Sequence, residues 1–135
     1  MLQSLGLLVL RVGVGGMMAT GHGWEKLLTF GVRSGSFPDP LGVGSELSLG
    51  LAVFAELLCS IFLVLGLATR LAAFPPLFTM LTAALVIHAD DPWSKKELAL
   101  LYAIPFLTLL LTGGGSYSID ALLWRRRRPR KVTVS

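Results

Sequence analysis

The sequence predicts an all-α integral membrane protein, a four-helix bundle with a long outer loop between helices 1 and 2. Three observations lead there. The 135-residue chain is 53% hydrophobic and only 15% charged, with a mean hydropathy of +0.71, above the apolar share of an ordinary soluble domain. Four apolar segments, at about 2–21, 46–69, 71–88 and 97–112, alternate with polar or turn-forming stretches. Positive charge is segregated: Arg125, Arg126, Arg127, Arg128, Arg130 and Lys131 crowd the C-terminus.

The first two segments reach the roughly 20 residues that a helix needs to cross a hydrocarbon core about 30 Å thick. Segment 2–21 holds Gly6, Gly13, Gly15 and Gly16. In lipid the Gly15-xxx-Ala19 spacing lets a second helix approach closely, and Ala52, Ala55 and Cys59 offer a matching small face. The two helices are expected to pack antiparallel. A secretory-signal reading of residues 1–21 needs a basic leading region and a shorter apolar core, and the sequence has neither.

After the first segment, Trp24 to Phe30 reads as a short interfacial helix with Trp24 in the aromatic belt. Residues 34–44 are rich in Gly and Pro, which marks turns. A loop of that length in a small protein commonly serves function or acts as a lid. Ser45 or Ser48 is placed to cap the next helix.

The third and fourth segments are shorter or interrupted. Pro75 and Pro76 stand near the start of one; Glu97 heads the other and Pro105 lies inside it. Both still read as spans, because neighbouring helices satisfy backbone groups that an internal proline frees. Gly113, Gly114 and Gly115 then end the last span, and Ser118 can cap a terminal helix from Ile119 to Trp124 at the membrane surface.

Residues 1–124 thus read as one four-span domain and 125–135 as a basic cytoplasmic tail. Outside the apolar segments, seven cations belong to the Arg70 turn and the tail, against four (Lys26, Arg33, Lys95 and Lys96) in the opposite loops. By the positive-inside rule both termini are cytoplasmic. An arginine run directly after a span is a topology anchor and a contact for anionic lipid. No recognition fold accompanies it, so nucleic acid is not an expected partner. The single cysteine, Cys59, excludes an intramolecular disulfide or a CxxC centre. Any redox role needs an exogenous cofactor, a metal on N and O ligands, or a partner subunit.

Two charges break the apolar pattern. Arg11 lies ten residues from Met1 and from Gly21, about 15 Å from either end. Glu56 lies at similar depth between Glu46 and Arg70. Intramembrane charge costs roughly 2.5–3.5 kcal/mol on insertion scales, so such residues face a partner or a cavity. An Arg11–Glu56 pair that fixes helix register is the expectation, with a proton or substrate path as the other reading. At the outer boundary His22 ends the first segment and His88 the third, near Glu25, Lys26, Asp90 and Asp91. His22, Lys26, His88 and Asp90 are the candidate cluster. It suits helix capping, the head group of a quinone with His carrying protons, or a metal bound by His22 and His88.

Leu10-Arg11-Val12, His22-Gly23-Trp24-Glu25-Lys26-Leu27, Phe37-Pro38-Asp39-Pro40-Leu41-Gly42, Phe54-Ala55-Glu56-Leu57, Gly66-Leu67-Ala68-Thr69-Arg70, His88-Ala89-Asp90-Asp91-Pro92-Trp93 and Gly113-Gly114-Gly115-Ser116-Tyr117-Ser118-Ile119-Asp120 follow one another along the chain. Together, from about Leu7 to Leu123, they resemble the DoxX family of small bacterial membrane proteins. The resemblance implies a four-helix fold in the bacterial inner membrane and an association with membrane redox chemistry, as a quinone-linked oxidoreductase component or a partner in redox-stress defence. It places Arg11, His22, Lys26, Glu56, Arg70 and His88 at motif positions. Two other functions fit the same residues: a scaffold or adaptor that docks a soluble or membrane partner, a redox subunit among them, without chemistry of its own, and small-solute transport past Glu56, which would require a homo-oligomer.

Overall fold

The structure, a computed structural model, describes residues 1–127. Arg128, Arg130 and Lys131 of the basic tail lie outside the described residues. Those described form helices and loops, with no strand among them. Helix α1 runs Leu2–Leu28, and α2 is a single turn, Phe30–Arg33. Helix α3 spans Ser45–Leu65 and α4 Thr69–Ile87. Helix α5 spans Trp93–Thr112 and α6 Ile119–Arg127. Helices α1, α3 and α4, of 27, 21 and 19 residues, are long and apolar enough to cross a membrane. The 20-residue α5 carries Lys95, Lys96 and Glu97 in its first turns.

Two expected boundaries move. Trp24 to Leu28 is not a separate interfacial helix: it continues α1 through a π turn at Ala19–Gly23. Helix α5 begins at Trp93, four residues before the apolar run, because Pro92 supplies the extended residue before its first turn.

Lipid tails are as apolar as leucine, so close packing rather than hydrophobic transfer holds membrane helices together. Glycine and alanine supply it here. A Cβ on Gly15 would sit 2.9 Å from the Ser60 carbonyl oxygen, and one on Gly23 only 2.6 Å from the Leu57 nitrogen. Helices α1 and α3 therefore run antiparallel in backbone contact, with Gly15 level with Ser60 and Gly23 level with Glu56. On the other side Ala72, Ala73, Leu77 and Met80 of α4 join Ala99, Ala103, Phe106 and Leu109 of α5 in one core with Val14, Met18 and Leu63.

Below this core Arg11, 1% exposed, ties three segments together. Its Nη1 donates to the Val64 carbonyl at 3.2 Å, and Nη2 donates to the Tyr117 carbonyl. The guanidinium lies over Gly66, which ends α3 at φ 70; a Cβ there would collide with Arg11 and Ser118. Asp120 accepts the backbone N–H groups of Ala68 and Thr69 at 2.7 and 2.8 Å, capping α4 from outside its own sequence. Ser118 Oγ accepts from Ala121 N at 3.2 Å and caps α6 as its position predicts.

At the opposite end of α3 the expected serine cap is replaced. Asp39 accepts from the N–H groups of Val43 and Gly44 at 2.9 and 2.8 Å, and from Ser48 Oγ at 2.8 Å. The serine donates to the carboxylate rather than receiving the helix N–H.

Candidate functional site

The site starts from two π turns. Ala19–Gly23 in α1 and Phe54–Leu58 in α3 lie against each other. A π turn inserts a residue, redirects the side chains after it, and recurs at functional sites. Because Gly23 has no Cβ, α1 rests on the main chain of Glu56. Lys26, just under one turn further along α1, then reaches across, and its Nζ lies 2.6 Å from Glu56 Oε2. Glu56 is 3% exposed and Lys26 18%. At this depth a lone charge is costly, and each of the two supplies the other's counter-charge.

His22 lies four residues before Lys26, within the π turn of α1. Its ring meets Tyr102 of α5 edge-on, with centroids 5.4 Å apart and planes at 84°. Tyr102 in turn stacks on the buried Phe106 at 6.3 Å. Neither the His22 ring nitrogens nor the Tyr102 hydroxyl has a hydrogen-bond partner among the described residues. The region thus holds two contacts, an ammonium with a carboxylate between α1 and α3 and an imidazole with a phenol between α1 and α5. Their N–H and O–H groups can donate to a carbonyl oxygen.

The expected Arg11–Glu56 pair does not form. Glu56 is held by Lys26, and Arg11 by the carbonyls of Val64 and Tyr117. The error was one of register: α1 continues to Leu28 rather than ending near Gly21, so its midpoint falls well beyond Arg11. Arg11 then stands level with Val64 to Gly66, about ten residues or 15 Å from Glu56 along α3.

The outer cluster is also divided. His22 and Lys26 both lie on α1, but no hydrogen bond, ion pair or ring contact joins His22 to His88 among the described residues. His88 Nδ1 donates to Asp91 Oδ2 at 2.6 Å, and Asp90 is exposed. The hydrogen bond from His88, and after it the charges of Lys95 and Lys96, hold Asp91 below the usual carboxylate range. Tyr102, against which His22 rests, lies nine residues into α5, about 13 Å from the His88 connection. The described residues hold no group of three or more His, Cys, Asp or Glu side chains suited to a metal, so the His22–His88 metal site has no ligand set. Tyr102 itself escaped sequence reasoning. The available signal was a hydroxyl at the tip of an aromatic residue inside an otherwise apolar segment.

The fold and these contacts define a helical protein of membrane type, with Arg11 and Glu56 buried inside it. The chain belongs to the DoxX family, whose profile matches residues 6–89. That stretch holds α3, α4 and most of α1, with Arg11, His22, Lys26, Glu56 and His88; α5 with Tyr102 lies beyond it. An uncharacterized protein of Haemophilus influenzae is 31% identical over 116 residues, covering 78% of this chain and 81% of its own. A second uncharacterized protein of that organism is 27% identical over 105 residues, covering 74% of this chain and 70% of its own. No solved structure matches the chain.

Proposed function

We propose that the chain is the membrane component of a quinone-linked oxidoreductase or redox-stress complex. In this reading His22, Lys26, Glu56 and Tyr102 form the pocket for the quinone head group. Helices α1, α3, α4 and α5 all cross a bacterial inner membrane, both termini are cytoplasmic, and the pocket lies in the outer half of the bilayer. The single observation that carries the reading is the buried Lys26–Glu56 pair at 2.6 Å, on the helix whose His22 meets Tyr102 of α5. An ionisable residue inside a membrane is a functional candidate by default.

A quinone presents two carbonyl oxygens on an apolar ring and, when bound, supplies the redox chemistry. Lys26 has N–H groups left to donate to one oxygen while Glu56 holds it in place. A His22 ring N–H is suited to donate to a carbonyl oxygen. The Tyr102 hydroxyl offers another donor, and its ring a flat apolar wall. With one cysteine the chain has no dithiol of its own; in this reading electrons come from a partner subunit.

The second reading is a scaffold, and one observation favours it. Lys26 and Glu56 neutralise each other, so the pair needs no ligand to persist. One experiment separates the two. The purified protein is titrated with a short-chain quinone while tryptophan fluorescence is followed, Trp24 lying two residues from both His22 and Lys26. Binding that weakens at least about tenfold in His22→Ala and Lys26→Met supports the pocket, on the scale of losing a hydrogen bond to a charged group. Unchanged affinity in both variants, with His88→Ala as the control, removes the quinone reading and leaves the scaffold.

A further inference from the structure

We propose that the groove between α4 and α5, on the face away from α1, binds a phospholipid whose head group carries a primary ammonium, as in phosphatidylethanolamine, with Glu97 as its head-group contact. Leu77 and Leu81 of α4 and Leu100, Ile104 and Leu107 of α5 line a cavity of about 470 Å³. That volume falls within the roughly 300–1,000 Å³ of ligand-binding pockets. Glu97 and Trp93 stand at one end of it. From Glu97 to Leu107 is ten residues of helix, about 15 Å, which is half of a hydrocarbon core about 30 Å thick. The groove therefore has the length of one leaflet, and so of a lipid chain rather than of a crossing helix.

Charge selects the head group. Glu97 is exposed and has no ion pair or hydrogen bond among the described residues. The cations beside it in sequence are turned elsewhere: Lys95 lies 3.9 Å from Asp91, and Lys96 donates to the Ala89 carbonyl. An unneutralised carboxylate at the mouth of an apolar groove favours a cation there. A primary ammonium donates N–H hydrogen bonds to that carboxylate, which a quaternary ammonium lacks. Trp93, one turn before Glu97, marks the interfacial level. This site is independent of the cluster around Lys26, since its residues face the other side of α5.

The test is native mass spectrometry of the full chain, released from mild detergent after equilibration with phosphatidylethanolamine, phosphatidylcholine or phosphatidylglycerol of identical acyl chains. The ethanolamine lipid is expected to bind about three- to fivefold more tightly than the other two, the upper span of an exposed ion pair. Glu97→Gln should erase that preference and leave folding intact, because the side chain has no partner within the protein. Ile104→Trp, which fills the groove, should weaken all three lipids. Equal binding of the three lipids by the unaltered protein, or a preference that survives Glu97→Gln, overturns the proposal. A lipid-free dimer that Ile104→Trp abolishes also overturns it, since a second copy would then occupy the groove.

Discussion

Lys26 Nζ lies 2.6 Å from Glu56 Oε2, and this contact joins two antiparallel helices at the one level where both are wound as π turns. Removing either partner leaves a charge at a depth where water is scarce. Glu56→Gln or Lys26→Met should cost about 3 kcal/mol, the lower end for breaking a buried pair, since Lys26 keeps some exposure. The double change Lys26→Met with Glu56→Leu should recover most of the loss. Thermal unfolding followed by size-exclusion chromatography in detergent reads both. A double variant no more stable than the singles would show that the pair is not an energetic unit.

The glycines of α1 divide into two kinds, and alanine tells them apart. At Gly23 a Cβ would lie 2.6 Å from Leu57 N and 2.7 Å from the Glu56 carbonyl carbon, so α1 must move away. At Gly16 nothing lies within 4 Å. Gly23→Ala should therefore destabilise strongly and loosen the Lys26 contact. Gly16→Ala should be neutral or gain up to about 1 kcal/mol from helix propensity. Equal effects at the two positions would contradict the helix contact.

Asp120 caps α4 across a long stretch of sequence, through the N–H groups of Ala68 and Thr69. Asp120→Ala should cost about 1–2 kcal/mol, the scale of a lost N-cap. The same change should free Ala68, held at φ 47, to relax. Limited proteolysis between α3 and α4 should become faster. A cleavage pattern identical to that of the unaltered protein would count against the cap.

Loop order near α3 should depend on acid. The Gly44 N–H first, then the Ser48 hydroxyl and the Val43 N–H, hold the Asp39 carboxyl below its usual value. A carboxylate with a depressed folded value contributes stability that is present above its unfolded value, near about 3.9, and lost as pH falls through the folded one. Hydrogen exchange at Val43 and Gly44, corrected for intrinsic rate, should stay protected at neutral pH and open only below about pH 4. Asp39→Asn should show the open behaviour at all pH values. Protection that persists in Asp39→Asn would mean that the loop is held by something else.

The helical class, the apolar segments and the family resemblance were legible in the sequence because a helix in lipid satisfies its own backbone groups, leaving hydropathy and punctuation to set its ends. Gly15 was legible as a contact residue for the same local reason. Ser118 was legible as a cap from its place just before a helical run.

What the sequence left open was the register between helices. Arg11 and Glu56 looked like partners only while the first span was taken to end at Gly21. One π turn and five more residues of α1 shift the register, giving Glu56 to Lys26 and Arg11 to the carbonyls of Val64 and Tyr117. His22 and His88 share an outer boundary in sequence, yet His22 rests on Tyr102 and His88 on Asp91. Composition fixes which residues enter the membrane, because transfer from water is a sum over side chains. Which charges meet there depends on small residues that set the distance and register of backbones far apart in sequence, and only the packed bundle decides that.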